Sequence, residues 1–374
     1  MPRTGENIYK RKDGRWEGRF IKERINGKAH YGAVYARSYR DVKCKLETTK
    51  KKLETEKNTA RKAGTVADIG NRWLTEARGT LKDSSINKYE DMLRCYILPE
   101  FGNTELSEIT NKHLIDFANS LLINGGINNQ GLSCSTVAEI ISIMNSLRIY
   151  AMKRDCTVLF SPECVTLKRE QKKIRVFSMD EEACLITYLC ENMDMTMLGI
   201  LLCLFTGIRI GELCALKWDE INLSEQTLQI RRTMQRIRVD GSQGRKTEVK
   251  LCEPKSICSI RTIPLPDMLI ELLSQYYAPG TFLLTGDSSR YVEPRTIQYR
   301  FKNILKACNI SEANFHTTRH TFATRCIELG FDVKSLSEIL GHSSVAITMN
   351  RYVHPTMALK AENMNRFSDL FTVK

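Results

Sequence analysis

Residues 315–330 read FHTTRHTFATRCIELG, and residues 336–353 read LSEILGHSSVAITMNRYV. In the first stretch His316 and Arg319 stand three apart, so one helix face carries both, and His320 stands four from His316. In the second, Gly341 suits the end of a helix over Val333–Leu340 and leaves His342 at its C-terminal edge, upstream of Tyr352. Ahead of both lies TGIRIGEL (206–213), where Arg209 follows an apolar run from Met195 to Phe205. Gly207 there suits a tight turn, and Glu212 is placed to pair with Arg209 or to orient it. EPKSICSIRTIPL (253–265) adds Lys255. Singly, each residue is ordinary: a surface arginine, a histidine on a helix dipole, a core tyrosine. The order and crowding of the set carry the signal.

Together these residues match what a phosphodiester demands. Its anionic oxygens repel nucleophiles, and its leaving alkoxide is a strong base. Cleavage without a metal needs cations on the nonbridging oxygens, a proton for the leaving oxygen and a positioned nucleophile. Arginine suits the first role because its planar fork meets two oxygens at once. A tyrosine ester keeps the energy of the broken bond, so rejoining needs no ATP. The His316/His320 spacing also suits zinc, but the arginine between them repels a dication and no glutamate follows His316 in a metalloprotease arrangement. No metal and no cofactor is therefore expected, and His320 is expected to pack structurally beneath its helix.

The 374 residues are enough for two or three domains, and 26% charged with 42% hydrophobic is a globular composition. The longest apolar run is too short to cross a bilayer, so no membrane partner is expected. No basic-then-apolar leader opens the chain, and the thirteen cysteines show no CxxC pair, which points to reduced thiols and a cytoplasmic protein. The net charge is +13, of which residues 1–62 hold +11: 19 Lys or Arg against 8 Asp or Glu. A module so cationic gains affinity for nucleic acid by releasing counterions.

The expected fold class is multidomain and mainly α. Asp13-Gly14 and Asn26-Gly27 are hairpin signals within residues 8–36, predicting three strands. Trp16 and Phe20 point to one side of the middle strand, and Arg15, Arg19 and Ile21 to the other. Ser38 with Asp41 starts a helix whose inner face carries Val42 and Leu46. This sheet plus helix, residues 1–62, leaves its arginine face free for a DNA groove, with Arg15, Arg19, Lys22 and Arg24 as the contacts. Residues 61–64 are a hinge. Residues 65–167 show four helical stripes: one on Val66, Ile69 and Trp73, one opened by Ser84 or Ser85 and stopped by Pro99, one on Leu114, Phe117 and Leu121, one opened by Ser135. The run KREQKKIR (168–175) reads as a linker, and residues 176–374 as a mainly helical domain with one β region, whose hairpin turn lies near Lys255.

The series FTGIRIGELCALKWDEI, SIRTIPL, FHTTRHTFATRCIELG and LSEILGHSSVAITMNRYVH resembles the tyrosine recombinase (phage integrase) family over residues 176–356. Residues 65–167 look like that family's helical core-binding domain, and residues 1–62 like the arm-binding domain of lambda-type and conjugative-transposon integrases. The resemblance implies a site-specific recombinase, the integrase or excisionase of a mobile element. It would cut and rejoin DNA through a 3′-phosphotyrosine on Tyr352, with Arg209 and Arg319 on the scissile phosphate. His316 would act as acid or base, His342 as a phosphate donor and Lys255 as the acid to the 5′ oxygen, with Lys250 and Lys246 as alternatives for the last. Glu212 and His320 would support them. It further implies a homotetramer on double-stranded DNA with core and arm sites, an accessory excision factor and a DNA-bending protein as partners, nucleoid association, and docking of the tail around Leu370 and Phe371 on a neighbouring subunit. A type IB topoisomerase or telomere resolvase, and a DNA-binding regulator with an idle recombinase fold, are the competing readings. The last predicts no covalent adduct.

Overall fold

The computed structural model describes residues 7–25, 28–59, 64–126, 128, 130–168, 174–238, 247–253, 257–353, 361, 364 and 365, with the backbone alone for 22–25, 28, 52–59 and 257. By its internal contacts the chain divides into residues 1–170 and 171–374. Lys22 and Arg24 therefore have no described side chain, and Lys255, the hinge residues 61–63, linker residues 169–173 and the segment around Leu370 and Phe371 lie outside the described residues.

The first unit opens with the antiparallel sheet β1 (Ile8–Lys10), β2 (Trp16–Ile25) and β3 (Lys28–Ala36), followed by α1 (Tyr39–Thr59). The Asp13-Gly14 signal makes a loop over 11–15, and Arg15 sits in that loop, bound by Asp13 at 2.8 Å, instead of on the strand. Trp16, Phe20 and Val34 pack on Val42 and Leu46 of α1, whose start is closed by the Ser38 hydroxyl on the Asp41 amide. Ile21 pairs with Tyr31 but Glu23 with His30, so Lys22 is the extra residue of a bulge that bends β2. The face away from α1 carries Arg19 with Tyr9, Tyr31 and Tyr35 exposed beside it, and Arg19 is held by Glu17 at 2.8 Å.

Residues 65–152 fold as a helical bundle of α2 (Val66–Ala77), α3 (Asp83–Met92), α4 (Leu98–Phe101), α5 (Asn111–Asn124) and α6 (Cys134–Met152). Thr65 and Asp68 form a reciprocal cap on α2. The apolar stripes meet in one core that includes Val66, Ile69, Leu93, Leu114, Val137 and Met144. Two boundaries differ from expectation. α6 is capped by Ser133, two residues ahead of Ser135. Pro99 does not stop its helix, because Leu93–Ile97 is a wide π turn in which the Leu98 amide reaches back to Leu93, and the ring is absorbed at the start of α4.

The second unit is built on α8 (Met195–Thr206), which is almost wholly buried and capped by Asp194. Around it lie α7 (Met179–Glu191), α9 (Ile210–Ala215), α10 (Asp267–Ser274), α11 (Pro294–Ala307) and α12 (His316–Glu328). α13 (Val333–Leu340) and α14 (Val345–Tyr352) close against α12 through Leu336, Leu340 and Tyr352. The β region is two sheets: β4 (Ile221–Asn222), β5 (Thr227–Ile230) and β8 (Arg261–Pro264) in one, β6 (Thr233–Arg238) and β7 (Thr247–Cys252) in the other. The β6–β7 hairpin is thus joined by residues 239–246, and Lys255 falls instead on the crossover from β7 to β8. β8 leaves the hairpin because its Ile263 is drawn into the core opposite Leu228 of β5.

Candidate active site

Gly207 ends α8 in the left-handed conformation, φ +66°, which turns the chain so that Arg209 becomes the N-cap of α9. A Cβ on Gly207 would lie 2.5 Å from the Phe322 ring, so the turn and the packing both demand glycine. Glu212, three residues on, takes the Arg209 amide at 2.9 Å and its Nη1 at 2.7 Å. Arg319 rises from α12 and is 1% exposed. Its Nη1 donates to the Gly207 carbonyl and its Nη2 to the Leu340 carbonyl, each at 2.7 Å. Burial and the neighbouring Arg209 pull this guanidinium down to about 9, which leaves it a cation at neutral pH.

Tyr352 closes α14 and is 7% exposed. Its Oη lies 2.8 Å from His320 Nδ1, and its ring lies parallel to that of His342 at 6.4 Å. His342 Nδ1 is held by the buried Thr348 hydroxyl at 2.8 Å, and the rings of His316 and His320 meet edge to face at 4.6 Å. Loss of hydration, together with Arg319 and its neighbours, holds His316 and His320 down to about 4 and His342 down to about 3. All three rings are therefore neutral at pH 7. In the tautomer protonated at Nε2, His320 accepts a hydrogen bond from the phenol. Burial pushes the Tyr352 phenol up, while Arg319 and Arg351 pull the other way.

A groove of about 700 Å³ opens beside Arg209 and His316, walled by Thr233 and Arg236 of β6 and by Arg295 of α11. A smaller hollow of about 220 Å³ leads from His316 and Asn314 to Arg319. Among the described residues no group of three or more His, Cys, Asp or Glu could hold a metal ion, and no described helix is long and apolar enough to cross a membrane. Among the described residues the site is a mainly cationic recess: Glu212 is shielded between Arg209 and Arg261, Glu293 lines the adjoining groove paired with Arg236, and Tyr352 supplies a phenol. Such a recess suits an anion that is attacked where it sits.

Residues 175–358 match the phage integrase family, and residues 65–122 match the SAM-like N-terminal domain of phage integrases. A tyrosine recombinase XerC-like protein of Caldanaerobacter subterraneus subsp. tengcongensis is 27% identical over 92% of this chain and 93% of its own. The tyrosine recombinase XerD of Staphylococcus saprophyticus is 26% identical over 77% of this chain and 93% of its own. The chain is a tyrosine recombinase of the phage integrase family. Among solved structures, the Tn1549 transposon integrase in complex with a circular-intermediate DNA matches this recombinase with a TM-score of 0.67, at 20% identity over 81% of this chain and 99% of that one. The lambda integrase dimer bound to a core site matches with a TM-score of 0.59, at 16% identity over 94% and 96%.

In this recombinase Arg209, His316, Arg319, His342 and Tyr352, spread over 144 positions of sequence from 209 to 352, converge on one recess with Glu212 and His320. Two contacts go beyond the expectations. His320, expected to pack beneath its helix and to support the set, meets the Tyr352 hydroxyl because α14 approaches α12. Arg261, in the SIRTIPL motif but assigned no role there, belongs to the same cluster, bound to Glu212 at 2.9 Å. Its strand position gave no sign of this, since the contact runs between β8 and α9 and is made only by folding. Lys250, an alternative for the lysine role, lies on β7 with Glu248 at 3.4 Å, while Lys246 lies outside the described residues.

Proposed function

We propose that this recombinase cuts one DNA strand by attack of Tyr352 Oη on the scissile phosphorus. The P–O5′ bond breaks, the 3′ end remains as a phosphotyrosine, and the 5′ oxygen leaves with a proton from Lys255. Reversal with a new 5′ hydroxyl reseals the strand and regenerates the phenol, so atoms and charge balance without ATP. Arg209 and Arg319 meet the nonbridging oxygens, and His316 and His342 donate hydrogen bonds to them. His320 accepts the phenol proton, since its nitrogen is the one that touches Oη. Glu212 orients Arg209. The single observation that carries this reading is the Tyr352 hydroxyl, sequestered among neutral imidazoles and guanidinium charge.

The substrate is double-stranded DNA with core and arm sites, bound by residues 65–167 and 1–62, with the catalytic domain over 176–374 and a linker at 168–175. The pairing of two DNA-binding modules in one chain raises the effective concentration of the second site once the first is held. The working assembly is a homotetramer on the DNA of a mobile element, assisted by an excision factor and a DNA-bending protein, in the bacterial cytoplasm. Solved relatives of the same fold include a lambda integrase tetramer bound to a Holliday junction and a Tn1549 integrase in complex with transposon right-end DNA.

The test is a nicked suicide duplex from the end of the element that carries this gene. The unaltered protein forms a covalent adduct that maps to Tyr352. Tyr352→Phe binds the same duplex within about twofold and forms none, because one hydroxyl is lost and no charge. An adduct on another residue, or an adduct with the Phe variant, removes the reading.

A further inference from the structure

Three guanidiniums converge on one helix end. The last turn of α13 has carbonyls without an intrahelical partner. Three successive ones accept from three arginines of three separate segments: Ile339 from Arg261 Nε at 2.6 Å, Leu340 from Arg319 Nη2 at 2.7 Å, and Gly341 from Arg209 Nη2 at 3.3 Å. Arg319 and Arg209 belong to the recess already described. Arg261 meets that recess through Glu212, from behind. Its side chain is 5% exposed, and its other donors go to the Ser259 carbonyl at 3.1 Å and to both oxygens of Glu212 at 3.2 and 2.9 Å.

The Glu212 carboxylate that Arg261 grips is the one that holds Arg209 Nη1 at 2.7 Å. A continuous path therefore runs from the Ile339 carbonyl through Arg261 and Glu212 to Arg209. Glu212 divides its charge between a buried guanidinium and a half-exposed one. With Arg261 gone, the whole carboxylate falls to Arg209, which is drawn onto it and away from the groove. A lysine there keeps the charge but lacks the fork that holds Glu212, Ile339 and Ser259 together.

We propose that Arg261 is a positioning residue for DNA cleavage. Through Glu212 it keeps Arg209 aimed into the groove, and through the Ile339 carbonyl it fixes the turn from which His342 projects. This rests on the reading of Arg209 as a ligand of the scissile phosphate. Arg261 has no part in binding DNA, so its loss slows the covalent step without weakening the complex.

The experiment uses the full-length protein at saturating concentration on two nicked suicide duplexes, one with an ordinary phosphodiester at the cleaved bond and one with a methylphosphonate. The methylphosphonate carries no anionic oxygen there, so it has little need of Arg209. Arg261→Lys and Arg261→Gln are compared with Arg209→Ala, with cooperative unfolding checked for each. The Arg261 variants are expected to bind both duplexes as the parent does and to form adduct roughly 100-fold more slowly on the phosphodiester, the scale of a small misplacement at a reacting centre. On the methylphosphonate that deficit shrinks to a few-fold, as it does for Arg209→Ala. Parental rates for Arg261→Lys, or an equal deficit on both duplexes, overturn the proposal. If Arg209→Ala shows no selective deficit, the reading of Arg209 itself falls and takes the proposal with it, an outcome told apart by that control alone.

Discussion

Glu212 is the electrostatic hinge of the recess. Burial alone would raise its carboxyl, but the hydrogen bonds and charge of Arg261, then the charge of Arg209, outweigh that and bring it down to about 2. A buried carboxylate so paired contributes stability above the ordinary Glu range near 4.5 and loses it as pH falls from there to about 2. The histidines act in a higher window. The unfolded chain takes up their protons near 6.5, the folded protein only near 4 for His316 and His320 and near 3 for His342. Unfolding therefore takes up protons between these values, and acid favours it. Urea midpoints should fall as pH drops from about 6.5 to about 4, and fall further below 4.5. His342→Gln should flatten the upper part of that profile, and a profile that the variant leaves unchanged would contradict the placement of this ring. Glu212→Gln should cost about 3–5 kcal/mol at neutral pH, because it leaves the buried Arg261 without a counter-charge.

The helix ends decide where these side chains point. α8 and α13 both stop on a left-handed glycine, Gly207 and Gly341, and a residue of the recess follows each, Arg209 two positions after Gly207 and His342 directly after Gly341. The two glycines differ in what surrounds them. A Cβ on Gly341 would press on Arg261 at 3.0 Å and on the Cys258 carbonyl at 3.1 Å, whereas one on Gly207 would enter the Phe322 ring at 2.5 Å and meet Leu340 at 2.9 Å. Gly207→Ala should therefore cost more than Gly341→Ala, roughly 3 against roughly 2 kcal/mol, backbone strain included. Denaturant midpoints of the two variants check the order, and a reversed order would show that the α8 turn relaxes more easily than its packing implies. These two stops were legible beforehand, since a glycine directly after a helical run marks an end. The π turn at Leu93–Ile97 was not, because a proline signals a stop and only the surrounding bundle makes the wider turn worth forming.

Across the full chain the uneven charge makes a separate prediction. Residues 1–62 hold +11 of the +13 net charge. Arg15 and Arg19 are already engaged, by Asp13 and Glu17 at 2.8 Å, so binding to phosphate must compete with those pairs. Replacing Arg15, Arg19, Lys22 and Arg24 with glutamine in the intact protein should lower affinity for arm-site DNA and reduce the log–log salt slope by at most about 4, and by less if the acidic partners keep their hold. An unchanged slope would show that the sheet does not touch phosphate. Adduct formation on isolated core-site duplexes should be unaffected, since these residues lie outside the unit that holds the recess.

What the linear order of residues determined was the inventory: apolar period for the helices, glycine and serine at their ends, and the motifs that carry Arg209, His316, Arg319, His342 and Tyr352. These are local signals, each readable within a few positions. Folding decided the pairings. That β8 joins β5 instead of β7, that Arg261 shares Glu212 with Arg209, and that His320 meets the Tyr352 hydroxyl all depend on contacts between segments 31 to 49 positions apart along the chain. No local pattern encodes such contacts. They follow from burying Ile263 beside Leu228, and Leu336, Leu340 and Tyr352 against α12, which brings the polar groups together as a consequence of apolar packing.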